Sequence, residues 1–226
     1  MKPKDFKFPF KWDERRPCIV DGVFFVPWHY QEHHTFQRPD WEEAAFFGKR
    51  APIAIEYCSG NGSWIAEKAR DNPETNWIAV ERRFERVRKI WSKIKNYNLT
   101  NLVIICGEAE DFTKHYVESS SVEKIYINFP DPWPKAKHAK NRLLQREFAE
   151  EISRITKEKG EACFVTDDAP YCSQMIAVMH ESKRWESRYP EPFFISKYDG
   201  YGSSYFAELW QQKGRDIHYM HFINTK

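Results

Sequence analysis

From residue 51 onward, short β-rich runs alternate with helical ones, and that rhythm limits the fold more than any other feature of the chain. "PIAIEY" reads as a strand, followed by the turn "CSGNG" and the helical "SWIAEKARD". "NWIAVE" is a second strand, and "RFERVRKIWSKIKNYN" a helix with Phe84, Val87, Trp91 and Ile94 on one stripe. "NLVIICG", the short helix "EAEDFTKHYV" and "VEKIYINF" continue the alternation. A helix over "LLQREFAEEISRITKEKG" is expected to close at Gly160 as a C-cap. "EACFVTD" then gives a fifth strand and "APYCSQMIAVMHES" a fifth helix. Such alternation predicts an α/β fold with a doubly wound, mostly parallel sheet. Two late β-like runs, "SSYFAELWQQ" and "DIHYMHFI", raise the expected count to seven strands and suggest an antiparallel edge hairpin. Residues 1–50, rich in aromatic and basic side chains, read as an irregular extension, loose at its start, ahead of a domain over 51–226.

Composition excludes several classes. The 226 residues suffice for one domain with a substantial core, and the balance of 41% hydrophobic to 30% charged residues argues against global disorder. No apolar run approaches the ~20 residues of a membrane span, and "MKPKDFKFPFKW" is too charged for a signal peptide. Five scattered cysteines without a C-x-x-C pair read as reduced thiols of a cytoplasmic protein. His29, His33 and His34 of "HYQEHH" have no Cys or further acid at a supporting spacing, so no metal is expected.

Ligands of such sheets bind at the carboxyl ends of the strands. The first ends in Glu56-Tyr57-Cys58-Ser59-Gly60-Asn61-Gly62. A dinucleotide fingerprint needs a small residue where Ile65 stands, and Glu56 would repel a pyrophosphate. An acidic strand end suits instead a cofactor with positive charge and no phosphate, such as S-adenosylmethionine. Glu81 ends the second strand, placed to accept ribose hydroxyls, and Glu108 follows the third, placed toward an adenine. With Gly60, Gly62, Ala109 and Asn128 these form the candidate cofactor set.

The fourth strand runs into Asn128 and then Pro130, Pro132 and Pro134 around Asp131 and Trp133. In this architecture it lies beside the first strand, which puts Asn128 to Pro134 at the reactive end of the cofactor. The prolines restrict φ and stiffen a loop that must place one side chain, Asp131. Lys135, Lys137, His138, Lys140, Arg142 and Arg146 follow with no acid before Glu147. So much positive charge is unfavourable at a helix start, which favours a phosphate partner over mere solubility. Lys137, Lys140 and Arg142 are the candidate RNA-binding cations, and the basic helix at 82–95 is a weaker one.

"NFPDPWPKAKHAKNRL" resembles the signature of the bacterial tRNA (guanine-N7-)-methyltransferases, and the resemblance extends over about residues 50 to 226. It implies a class I, Rossmann-like, S-adenosylmethionine-dependent methyltransferase acting on a guanine in the tRNA variable loop (position 46). It further implies Glu56, Glu81 and Glu108 at the cofactor, Asp131 at the reaction centre, and Lys135 and Asp167 at the substrate. The chain departs from the family pattern at three places. Cys58 replaces a glycine of E-x-G-C-G-x-G, Asn141 stands where arginine is common, and Ser204-Tyr205-Phe206-Ala207 replaces T-x-[YF]-E. Ser204 and the adjacent Glu208 are therefore the candidate substrate residues there. The chemistry agrees, because guanine N7 is an unprotonated acceptor that needs orientation and charge stabilisation but no base. Two other readings stand beside it: a non-catalytic tRNA-binding relative, and a nicotinamide oxidoreductase, disfavoured by Glu56 and Ile65. Monomer and homodimer are equally compatible with the sequence.

Overall fold

The computed structural model describes residues 1–11, 14–202 and 204–226, which fall into two compact units, Met1–Val117 and Glu118–Lys226. The first contains strands β1 (Cys18–Val20), β2 (Val23–Phe25), β3 (Ile53–Tyr57), β4 (Asn76–Glu81) and β5 (Leu102–Cys106). Between and after them run α1 (Ser63–Asp71), α2 (Phe84–Tyr97) and α3 (Ala109–Tyr116). The strand order is β1-β2-β5-β4-β3, parallel except for the β1–β2 pair. Every residue of β3, β4 and β5 is buried, as expected for parallel strands covered on both faces.

The stretch before residue 50 departs from expectation. Val20 pairs with Val23 across the two-residue turn Asp21-Gly22, both with positive φ (51° and 76°). An Asp-Gly pair fits the tight hairpin turns that match strand twist, and was a readable signal. β2 then pairs in parallel with β5, Phe25 opposite Cys106, so this segment is part of the sheet. Nor does the start hang loose: Phe6 is buried and stacks on Trp91 at 5.1 Å between centroids.

The second unit contains β6 (Val122–Asn128), β7 (Thr156–Thr166), β8 (Trp185–Ser187) and β9 (His218–Asn224). Its helices are α4 (Arg146–Ile155), α5 (Ala169–Glu181) and α6 (Tyr205–Gln212). β6 and β7 are parallel, whereas β9 pairs antiparallel with both β7 and β8. The five strands of one unit and four of the other make nine among the described residues, where seven were expected. The edge pair is β8–β9, while 205–212 is helical, because Ser204 caps its start by accepting from Ala207 N. α4 ends at Ile155 rather than Gly160. Asn224 Nδ2 donates to the carbonyls of Ser153 and Thr156, and Thr156 pairs with Val122, so the strand takes over from the helix there. No helix among the described residues is long and apolar enough to cross a membrane.

Candidate functional site

In the first unit the glycine turn and the end of β4 are tied together. Gly60 N donates to Glu81 Oε2 at 2.9 Å and Arg83 N to Glu81 Oε1 at 2.8 Å. Ser59 N reaches Val80 O, and Ser59 Oγ donates to Glu56 O. Glu56 and Glu81 are almost wholly buried, 2% and 4% exposed. Burial pushes the Glu81 carboxyl above its ordinary pKa, opposed by the N–H of Arg83, the Arg86 guanidinium at 3.6 Å and the N–H of Gly60. Glu81 Oε2 meets both Gly60 N–H and the Arg86 guanidinium, whereas Oε1 accepts only Arg83 N–H and keeps a lone pair for a ribose hydroxyl. Gly62, at φ 70°, opens α1, and a Cβ there would lie 2.6 Å from Ile90 Cγ1. Cys58, where the family pattern has glycine, sits at φ 61°, a left-handed conformation costly for a side chain.

Glu108 precedes α3, with Arg82 Nη1 3.5 Å from its carboxylate. It lines a cavity of about 610 Å³ together with Phe8, Phe10, Phe25, Trp28 and Phe84. The volume is ordinary for a small-ligand site, and the aromatic walls suit a purine. Ala109 is buried behind Glu108 at the first residue of α3. Sequence reasoning missed the contribution of the N-terminal segment. Its signal was the aromatic spacing of "FPF" and "PW". Buried carboxylates, a turn that demands glycine and an aromatic cavity fit a cationic adenosine cofactor without phosphate.

In the second unit, β6 ends at the buried Asn128, and Phe129 N closes the ladder on Val165 O. Phe129 and Trp133 both have positive φ (47° and 42°), an uncommon pairing in a loop of non-glycine residues. Asp131 between them is exposed. Trp133 is half-buried and meets the His138 ring edge-on at 5.7 Å. Arg142, expected to grip RNA, is 8% exposed and has another task. Its Nε donates to Pro132 O at 2.7 Å, its Nη1 to Gln174 Oε1 at 2.6 Å, and the guanidinium covers the Tyr171 ring. A buried guanidinium with these bonds clamps the proline loop and is not a phosphate contact. Lys135, Lys137 and Lys140 are exposed on or beside a short helical segment, Ala136–Asn141.

Asp167 is nearly buried and ion-paired with Arg215, which in turn covers the Trp210 ring. Ser204 is occupied as the cap of α6 and receives the Tyr201 hydroxyl at 3.2 Å, so its expected substrate role yields to a structural one. Glu208 lies exposed in the first turn of α6. The basic helix also differs from expectation. Of its seven cations, Arg82, Arg86, Arg88, Lys93 and Lys95 bond to protein groups, namely Glu108, Glu81, Pro3 O, Asn61 O and Asp21.

Comparison with known proteins establishes the family. The methyltransferase family model Methyltransf_4 matches residues 50–220. The tRNA (guanine-N(7)-)-methyltransferase of Chlamydia felis (strain Fe/C-56) is 48% identical over 223 residues, 99% of this chain and 97% of the relative. That of Chlamydia pneumoniae is 47% identical, covering 99% of this chain and 98% of the relative. That of Rubrobacter xylanophilus is 30% identical over 83% of this chain and 84% of its own. Among solved structures, the 16S rRNA methyltransferase KamB superposes with a TM-score of 0.59 at 16% identity, covering 84% of this chain and 96% of that one. That likeness concerns the fold alone, a class I methyltransferase sheet. On the family match and the near full-length identities, the chain belongs to the tRNA (guanine-N7-)-methyltransferase family.

Proposed function

We propose that this chain methylates N7 of a guanine in the variable loop of tRNA, using S-adenosylmethionine. Within the family assignment, the observation that carries the residue-level reading is Asp131, an exposed carboxylate on a loop stiffened by three prolines and clamped by Arg142. Bound S-adenosylmethionine supplies a methyl group activated by its sulfonium. Glu81 accepts a ribose hydroxyl, Glu56 opposes the cofactor's positive charge, and Glu108 with the aromatic cavity takes the adenine end. Gly60, Gly62 and Ala109 shape the backbone around it. Asp131 accepts hydrogen bonds from guanine N1 and N2 and offsets the positive charge that develops on the purine. N7 carries a free lone pair, so no general base is required. Lys135 holds the guanosine, and Lys137 and Lys140 hold neighbouring phosphates. Glu208 and the Asp167–Arg215 pair border the substrate.

The test is methyl transfer to an unmodified tRNA transcript, followed by nuclease digestion and mass spectrometry. The expected product is 7-methylguanosine, confined to a variable-loop fragment. Methylation of another atom or another loop would overturn the reading. Cofactor binding without turnover would identify a non-catalytic relative.

A further inference from the structure

Away from the glycine turn, the first unit brings together three side chains that are distant in sequence. Asp111 and His115, four residues apart on α3, lie on one helix face, and His33 from the N-terminal segment meets them. One potential ligand atom of each lies within 4.8 Å of the others. The His33 and His115 rings are stacked, 4.3 Å between centroids and 15° apart in plane. His33 is 95% buried by its 5% exposure, and its Nε2 has no hydrogen-bond partner. Its Nδ1 lies 2.7 Å from the Tyr116 hydroxyl.

From this geometry we infer a binding site for a divalent transition-metal ion, of the zinc class, formed by His33, Asp111 and His115. Two imidazoles and one carboxylate make a donor set suited to zinc, nickel or cobalt and poorly suited to magnesium or calcium. Metal-bound histidines usually donate their second ring N–H to a neighbour that fixes the ring. The Tyr116 hydroxyl is placed to accept from Nδ1–H, which leaves the Nε2 lone pair for the ion. Of the nearby cations, Arg38 is committed to the carbonyls of Tyr116 and Pro39 and lies over the Trp41 ring. His115 is exposed, so water can complete the coordination shell.

The ion would join the N-terminal segment to α3, the helix whose first turn follows Glu108. Its expected effect is on the order of the segment that supplies Phe8, Phe10 and Trp28 to the cavity, not on the chemistry of methyl transfer. The site does not depend on the methyltransferase reading.

The test uses the tag-free full chain, stripped with chelator and titrated with Co²⁺ and then Zn²⁺. Calorimetry, the visible Co²⁺ bands and thermal unfolding serve as readouts. One ion per chain should bind with micromolar affinity, and a hundredfold excess over Kd should raise Tm by about 5–10 °C. His115→Ala and Asp111→Asn, both on the accessible side, should each weaken binding about tenfold or more and remove the Tm rise. Methyl transfer by these variants without metal should match wild type. Binding no tighter than millimolar would overturn the proposal. So would tight binding that survives both variants, which would place the ion elsewhere, for instance at Glu161, Cys163 and His221.

Discussion

The turn from Cys58 to Gly62 and the loop from Phe129 to Pro134 each follow a parallel strand that ends in buried residues, and each contains left-handed residues, but they are held by opposite means. The glycine turn is held by its own N–H groups, which bond to a buried carboxylate and a neighbouring strand. The proline loop has lost donors at three positions. Beyond the Phe129 N–H bond to Val165 O, the Arg142 guanidinium holds it from outside, and Asp131 is exposed. A carboxylate that also organises backbone cannot be removed without disturbing the fold. One exposed on a stiff loop stands where a substrate can reach it. The two regions should therefore answer mutation differently.

The largest expected effect is functional. Asp131→Asn should lower single-turnover methyl transfer by about 10²–10³ with cofactor affinity retained. A rate within a few-fold of wild type would remove Asp131 from the reaction centre. Gly62→Ala should act on the other region through stability, by about 2–4 kcal/mol, from the left-handed φ together with the Ile90 clash. Urea unfolding measures it, and a loss below about 1 kcal/mol would mean the turn relaxes freely.

Glu81→Gln should weaken S-adenosylmethionine binding about tenfold or more, the value of a charge-assisted hydrogen bond, and leave tRNA affinity unchanged. Wild-type cofactor affinity should also fall on acidification, as Glu81 takes up a proton at a pH above its ordinary value. The sign for stability is the reverse. With the folded pKa raised, the contribution of this group is complete below the unfolded value and is lost as pH rises through the folded one. Calorimetry of both proteins across pH 4.5–7.5 checks this, and a parallel decline in the variant would point to another group.

A smaller contrast separates clamp from grip. Lys137→Ala with Lys140→Ala should lower the slope of log K against log salt for tRNA by roughly 0.7–0.9 per contact. Arg142→Lys should leave that slope unchanged and lower methyl transfer, because a lysine cannot serve Pro132 O and Gln174 together. Filter binding at several salt concentrations distinguishes them. The smallest effect is Cys58→Gly, a gain of about 0.5–1 kcal/mol, since relief of a left-handed side chain exceeds glycine's entropic cost. An unchanged unfolding midpoint would show that Cys58 tolerates its φ of 61°.

Much of this was legible because it depends on short-range pattern. The parallel strands, the acids at their ends and the glycine turn follow from local runs and their spacing. The hairpin at Asp21-Gly22 was equally local and was overlooked amid aromatic residues. Aromatic density also disguised α6, whose helical state depends on the Ser204 cap. The end of α4 and the burial of Arg142 could not be read locally. Asn224 and Gln174 decide them from 71 and 32 residues away. A run of positive charge does not reveal which member turns inward, and His33 in "HYQEHH" does not reveal that Asp111 and His115 of α3 meet it.

The pairing of β2 with β5 also imposes an order of events on synthesis. Phe25 cannot find its partner until Cys106 has left the ribosome, roughly 4–16 s later at translation rates of about 5–20 residues per second. For that interval Phe6, Phe8, Phe10 and Phe25 have no sheet to cover, and the nascent chain presents a sticky aromatic head. Stalled nascent chains should gain protease protection of residues 1–25 only once β5 has emerged, and protection at shorter lengths would show that this head folds alone. Its first residues are thus among the last parts of its unit to reach their native contacts.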